Sequence, residues 1–254
     1  MMKTYRMNLI GKTLSVVVLM TTLLIAPTLI ASTPNAAVET KKVVVDRVAD
    51  EAAAVVAEAG MLYNAMELEN RGLPKKAFEY AFKGYKNLVN RGLVEKTNII
   101  SVADFSQSSR NKRLFILDLE SQKVLMQTYV AHGRGSGGEY ARSFSNTPET
   151  HKSSLGFYVT KNTYFGQHGL SLILGGVEKG INDNAEARKI VIHGANYVGD
   201  RYLKVRPFIG RSHGCPAVAS KLSKNVIETI KDGSVLFIYH PTISYLNKSR
   251  ILNG

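Results

Sequence analysis

Hydrophobic and polar positions divide the chain into three parts, of which the first is an apolar run near the N-terminus. Three basic residues precede the run from Leu14 to Ile30, and small and polar residues follow it, which is the order of a secretory signal. The run also approaches the roughly 17 to 20 residues that span a bilayer. Residues 1–37 are therefore predicted to be a signal peptide or a membrane anchor, and either one exports the rest of the chain.

The second part, residues 46–92, has a helical pattern. Its first half is rich in Ala, Glu and Met and ends before Gly72 and Pro74, and apolar residues then recur at helical spacing until Gly92. This pattern predicts an α-helical hairpin that packs against the following domain.

The third part, residues 98–242, consists of short runs rich in β-branched and aromatic residues, separated by clusters of Gly, Ser and Asn. Such runs predict strands, and residues 219–231 predict one helix among them. The predicted strands are residues 99–105, 113–119, 124–131, 156–161, 170–174, 189–193 and 235–240. This part is expected to be mainly antiparallel β, a sandwich or a barrel.

The net charge limits the classes of binding partner that we expect, since the 254 residues carry a formal net charge of +13. Nucleic acid is the usual partner of so basic a protein. An exported chain seldom meets nucleic acid, so we expect no such partner. A carboxylate-rich cell wall fits the charge, and so does a solvated basic face without a specific partner.

The single cysteine, Cys215, lies in the most informative stretch, residues 192–218. One cysteine cannot form an internal disulfide. Cysteines used for packing normally lie in apolar periodic runs, whereas Cys215 is flanked by polar residues, Gly214 and Pro216 in irregular backbone. These features alone support catalysis and structural burial about equally.

A thiol becomes a nucleophile when a neighbouring base or positive charge lowers its pKa. His193 and His213 are the candidate bases for Cys215. Residues two positions apart in the irregular backbone of a turn often point apart, which favours the more distant His193. The pair predicts a thiol that is ionised at neutral pH or shares its proton with His193, and the amides of the turn are candidate donors to an oxyanion.

A zinc site made from His193, His213 and Cys215 is the alternative chemistry for this stretch. It lacks an obvious fourth ligand or paired spacing, so neither a metal nor another cofactor is expected.

Residues 132–138, HGRGSGG, match the glycine spacing of dinucleotide-binding loops. A polar, turn-rich stretch follows where that fold needs a helix, so the match is rejected. We predict a loop at a strand end, which either borders the active site, with His132, Arg134 and Ser136 as candidate substrate contacts, or is a plain turn.

His193 and Gly194, followed at a distance by Ser212 to Cys215 (SHGC), resemble the signature of YkuD-type L,D-transpeptidases. The likeness to the murein L,D-transpeptidase catalytic domain branch covers about residues 98–239 and is weaker in the helical segment. The stretches that carry it are VADFSQSSRNKRLFILDL, VAHGRGSG, FSN at 144–146, SSLGFYVT, YFGQHGLSLIL and GRSHGCPAV.

The resemblance implies a β-rich catalytic domain that acts on peptidoglycan stem peptides in the periplasm or cell envelope, without metal or cofactor. By position, it makes Cys215 the nucleophile, His193 its base and Gly194 the carbonyl that orients the base. His213 and Gly214, together with Cys215, are implied to form the oxyanion turn. The candidate substrate-binding residues are Ser212, Arg211, His132 and Asn146.

The implied reaction is 3→3 cross-linking of stem peptides through a thioester. In most of the wider family an Arg follows the Cys after one apolar residue, but Pro216 and Ala217 stand there and Arg211 precedes Ser212. Recognition of the substrate carboxylate is therefore expected to be rearranged. An L,D-carboxypeptidase or a hydrolase that releases wall proteins would use the same site, and a non-catalytic wall-binding protein would keep only the fold.

Overall fold

The computed structural model describes the backbone of residues 35–254 and the side chains of residues 50–254. Apart from its last three residues, the predicted signal peptide or membrane anchor, residues 1–37, lies outside the described residues. No helix in the described part is long and apolar enough to cross a membrane. Residues 46–254 form one compact unit that contains both the helical segment and the β-rich part.

Two helices occupy the stretch with the helical pattern. They are α1, Asn35–Ala65, and α2, Lys75–Asn90. The apolar residues of α2 lie on one face and are buried against the sheet. At Gly84 of α2, a Cβ would lie 1.9 Å from the Phe157 ring, so this close approach requires glycine.

Eight strands and four short helices follow. The strands are β1 Ile99–Asp104, β2 Leu114–Asp118, β3 Lys123–Thr128, β4 Gly156–Gly166, β5 Gly169–Gly176, β6 Val191–Ala195, β7 Ala217–Ala219 and β8 Val235–Tyr239. The helices are α3 Asp200–Leu203, α4 Ser220–Ile230, α5 Ile243–Lys248 and α6 Arg250–Asn253.

The strands form a single sheet in the order β3-β2-β1-β8-β4-β5-β6-β7. All pairs are antiparallel except β1 with β8 and β6 with β7. Every residue of β8 is buried, because this apolar strand lies in the middle of the sheet. The short strand β7 forms the end of the sheet beside β6 and leads directly into α4.

The predicted fold class, mainly β with N-terminal helices, is confirmed. β4 continues past its predicted end at residue 161, because its second half forms a largely exposed hairpin with β5. β7 was not predicted, since three residues are too short for a periodic signal.

Candidate active site

The pairing of β6 with β7 brings the predicted nucleophile and base together. His193 of β6 is the register partner of Ala217, the first residue of β7. Cys215 precedes Ala217 by two residues, so in this parallel pair it lies beside the part of β6 that precedes His193. The Cys215 sulfur donates to the carbonyl oxygen of Lys189, four residues before His193, at 3.6 Å. The thiol and the imidazole therefore lie on neighbouring segments of the same sheet edge.

The turn that carries Cys215 is held by Ser212. The Ser212 hydroxyl accepts a hydrogen bond from the Gly214 amide at 3.0 Å and donates one to the Cys215 carbonyl oxygen at 2.6 Å. Gly214 has a φ of +128°, and a Cβ there would lie 3.0 Å from the Lys152 carbonyl oxygen, so the turn requires glycine. The Gly214 amide, one of the predicted oxyanion donors, is therefore bound to Ser212 in this structure.

A glycine-rich loop packs against the other side of this turn. The Ser153 hydroxyl accepts a hydrogen bond from the Gly133 amide at 3.0 Å and donates one to the Gly214 carbonyl at 2.9 Å. A Cβ on Gly133 would lie 2.9 Å from the Cα of Gly214. The loop from Gly133 to Gly138 thus borders the Cys215 turn, which is one of the two alternatives that the sequence left open.

His193 is only 3% exposed, and its Nδ1 lies 3.0 Å from the Gly194 carbonyl oxygen. A carbonyl oxygen can only accept, so the proton is on Nδ1 and the lone pair is on Nε2. Burial lowers the pKa of His193, and the nearby His168 lowers it further, while the Gly194 carbonyl acts in the opposite direction. A neutral imidazole with its lone pair on Nε2 has the properties of a general base.

The Cys215 thiol is partly buried and donates to the Lys189 carbonyl oxygen at 3.6 Å. Burial raises the pKa of Cys215, although the Val191 amide and the Arg188 guanidinium favour the thiolate. The ionised resting thiol that the sequence predicted is therefore disfavoured in the free protein. Loss of the proton to a base during attack agrees better with this environment.

His213 has different surroundings from His193. Its side chain is exposed, and its ring lies edge-on to that of His151 at a centroid distance of 4.4 Å. The Arg134 guanidinium lies 3.1 Å from Nε2 of His151 on the same side. These contacts link His213 to the glycine-rich loop and support its role in shaping the turn.

Comparison with known proteins identifies the family. The model of the L,D-transpeptidase catalytic domain family matches residues 69–239, which is more than half of the chain. The chain belongs to this family. No match to a curated protein is found.

Solved structures similar to this L,D-transpeptidase domain include three bacterial proteins. An L,D-transpeptidase from Mycobacterium smegmatis is 10% identical, over 56% of this chain and 59% of that chain, with a TM-score of 0.34. An L,D-transpeptidase from Stackebrandtia nassauensis is 14% identical, over 65% of this chain and 67% of that one, with a TM-score of 0.34. The helical cell shape determining protein Pgp2 from Campylobacter jejuni is 11% identical, over 64% of this chain and 55% of that one, with a TM-score of 0.38. This chain thus covers 59% of the length of the mycobacterial protein.

Of the predicted substrate contacts in the L,D-transpeptidase domain, His132 lies below the surface. Its side chain is fully buried, and its Nδ1 lies 2.8 Å from the Arg113 guanidinium. Burial and the charge of Arg113 lower the pKa of His132 to about 3, so it is neutral at physiological pH. His132 therefore supports the glycine-rich loop from beneath and is not accessible to a substrate in this structure.

The remaining candidates have three different surroundings. Arg211 is exposed and donates to the Gly137 carbonyl oxygen at 2.9 Å. Asn146 donates to Asp183 at 2.7 Å and accepts from the Asn184 amide at 3.1 Å, so it joins two loops. Ser212 is buried within the turn and holds the nucleophile segment.

Sequence reasoning missed several residues around Cys215 and His193. Arg188 borders the Cys215 turn. Burial, and after it the charge of Cys215, raises the pKa of Tyr197 to about 12. His168 stacks on His193. His168 had a sequence signal, since it lies in the YFGQHGLSLIL stretch, and Tyr197 lies in the stretch 192–218, whereas Arg188 lies in neither.

The zinc alternative has no support in the geometry. Across the described part of the chain, no group of three or more His, Cys, Asp or Glu side chains is arranged to hold a metal ion.

Proposed function

We propose that this protein is a cysteine acyltransferase that forms 3→3 cross-links between peptidoglycan stem peptides. Its family membership supports a peptidoglycan-modifying activity. The observation that supports the finer proposal is the location of Cys215 beside β6, the strand that carries a His193 whose Nδ1 donates to the Gly194 carbonyl. A nucleophile beside a base that a third group orients is the arrangement used for covalent acyl transfer.

In the proposed reaction, Nε2 of His193 takes the thiol proton while the Cys215 sulfur attacks the carbonyl carbon of the third stem residue, a diamino acid. The negative charge moves to the carbonyl oxygen, which amides of the turn stabilise. The C–N bond to the terminal D-Ala breaks, the departing nitrogen takes the proton from His193, and a thioester remains on Cys215.

The amine of a neighbouring stem then attacks the thioester. The C–S bond breaks, and the proton lost by the amine returns to the sulfur through His193. If water attacks instead, the product is a trimmed stem, which is the carboxypeptidase alternative. Because this substrate lies outside the cytoplasm, we propose a location in the periplasm or cell envelope.

The test is incubation of the purified protein with disaccharide tetrapeptides, followed by mass spectrometry of muropeptides and of the intact protein. We expect release of D-Ala, a 3→3 dimer, and an acyl adduct on Cys215. The variants Cys215→Ala and Cys215→Ser should keep the fold and lose the products, since a hydroxyl at this position needs stronger activation than a thiol.

Two of the alternatives have their own outcomes in this experiment. Trimmed stems without dimers would assign the carboxypeptidase reaction. A wild-type protein that binds peptidoglycan but gives neither adduct nor product would be a wall-binding protein. Turnover retained by Cys215→Ala would overturn the assignment of the nucleophile.

A further inference from the structure

Arg188 lies between β5 and β6 and ties the loop before β4 to its own segment. Its Nη1 donates to the Ser145 carbonyl oxygen at 2.8 Å and to the Ser154 hydroxyl at 2.5 Å. Its Nη2 donates to the Lys152 carbonyl oxygen at 2.5 Å. A guanidinium has five N–H groups, so these contacts leave one on Nη2 and one on Nε for other partners.

The same guanidinium borders the Cys215 turn. A Cβ on Gly214 would lie 3.4 Å from Nη2 of Arg188 and 3.0 Å from the Lys152 carbonyl oxygen that Nη2 binds. The fork of Arg188 and the Lys152 carbonyl that it binds therefore line the space beside the Gly214 backbone, next to Cys215.

Arg188 brings a positive charge that no carboxylate neutralises. Among the ion pairs of the described residues, none includes Arg188. The groups that act on its charge are Tyr158 and the Cys215 thiol. Arg188 is partly buried, so its field is less screened than that of a surface arginine.

We propose that Arg188 is a positioning residue for the nucleophile: it locks the loop containing Lys152 against the Cys215 turn, and its charge stabilises the sulfur as the thiol proton leaves. This inference rests on the proposed function, in which His193 removes that proton. The positive charge of Arg188 counteracts the effect of burial, which disfavours the thiolate of Cys215. The titratable side chains coupled to the sulfur are Arg188 and Tyr197, and His193 lies on the neighbouring strand β6.

The test measures the pH midpoint of iodoacetamide labelling in the whole protein, in which Cys215 is the single cysteine. Arg188→Gln keeps an amide donor but removes the charge, so the midpoint should rise by about one pH unit. Arg188→Lys keeps the charge but loses the fork, so its midpoint should stay close to the wild-type value while its Tm falls. Arg142→Gln, which removes an exposed charge, is the matched control and should change neither quantity.

A lowered Tm with an unchanged midpoint in Arg188→Gln would overturn the proposal, since a merely structural residue behaves in that way. If Arg188→Gln does not fold, the Arg188→Lys variant serves as the test. A labelling midpoint of Arg188→Lys about one pH unit above the wild-type value would show that a charge at this position does not act on the sulfur. The assay needs no substrate. A wild-type protein without muropeptide turnover would therefore defeat the proposed function alone, and turnover with an unchanged midpoint would defeat the role of Arg188 alone.

Discussion

His168 stacks on His193, with their ring centroids 4.3 Å apart and their planes inclined by 20°. His168 comes from the exposed turn between β4 and β5, whereas His193 lies in the buried β6. The contact therefore joins a surface hairpin to the proposed general base. It covers one face of the His193 ring and brings a second titratable imidazole next to it.

Removal of His168 should raise the pKa of His193. Burial and the charge of His168 both lower that pKa, and His168→Ala reduces both effects. A base works in its neutral form, so activity is lost below its pKa, and a higher pKa moves that loss to higher pH. We expect the acidic limb of the pH profile of muropeptide turnover to shift upward in His168→Ala. The control is His151→Ala, because His151 contacts His213. An unchanged or downward-shifted limb in His168→Ala would contradict this account.

Ser212→Ala should weaken both the fold and the reaction. The substitution removes the hydroxyl that joins the Gly214 amide to the Cys215 carbonyl and leaves a buried donor without a partner. Such a group costs about 1 to 3 kcal/mol, so the Tm should fall and turnover should drop. Ser220→Ala serves as control, since its hydroxyl is exposed and bonds to Asn196. Equal Tm values for the two variants would show that Ser212 does not hold the turn.

The strands and the signature residues could be predicted from the sequence because their signals are local. Runs of β-branched and aromatic residues gave seven strands, and a lone thiol beside Gly214 and Pro216 stands out from the apolar runs. The neighbouring relation of Cys215 and His193 was anticipated from chemistry and family likeness. The pairing of β6 with β7 places the segments that carry the two residues side by side, and the partnership itself stays a prediction.

The contacts around the thiol could not be predicted, because they depend on loops that are distant in sequence. Arg188 bonds to residues more than thirty positions earlier in the chain, and no motif marks it. His132, by contrast, was predicted to contact the substrate because it precedes a glycine-rich loop. Its side chain instead faces Arg113 in the interior. Sequence alone does not say on which side of a loop a histidine lies.

Gly214→Ala should stop turnover, since it forces a side chain into a left-handed position that is also crowded by Lys152 and Ile190. The matched control is Gly180→Ala. Gly180 has a φ of +74°, but nothing lies within 4 Å of the place that a Cβ would take, so its substitution carries only the backbone strain of about 1 to 2 kcal/mol. Gly180→Ala should lose stability and keep its activity. If Gly214→Ala is as active as Gly180→Ala, the crowding around the turn has no catalytic consequence.

Protonation of the buried Glu178 side chain should make the fold more stable at mildly acidic pH than at neutral pH. This buried carboxylate accepts hydrogen bonds from the Phe157 amide at 2.7 Å and from the hydroxyls of Tyr245 and Ser249. Burial nevertheless raises the pKa of Glu178 above its ordinary value. The folded state then holds the proton more tightly than the unfolded state, so this stabilisation is complete below the ordinary pKa and is lost as the pH rises through the folded pKa.

The measurement is the difference in Tm between the wild type and Glu178→Gln at several pH values. The variant lacks the titration, so the wild type should gain stability relative to it as the pH falls from 7 towards 5. A difference that stays constant, or that moves in favour of Glu178→Gln at lower pH, would mean that the hydrogen bonds to the carboxylate outweigh its burial.

The two histidines near Cys215 should differ in their effect on the thiol. If His193 is the base, His193→Ala removes the group that takes the proton, so iodoacetamide labelling at neutral pH should slow and its pH midpoint should rise. His213 is exposed and packs on His151, so His213→Ala should shift the midpoint less. A midpoint that rises in His213→Ala and stays unchanged in His193→Ala would require the two roles to be exchanged. If neither substitution moves the midpoint, Cys215 is a thiol without a base, and the acyl-transfer mechanism fails at its first step.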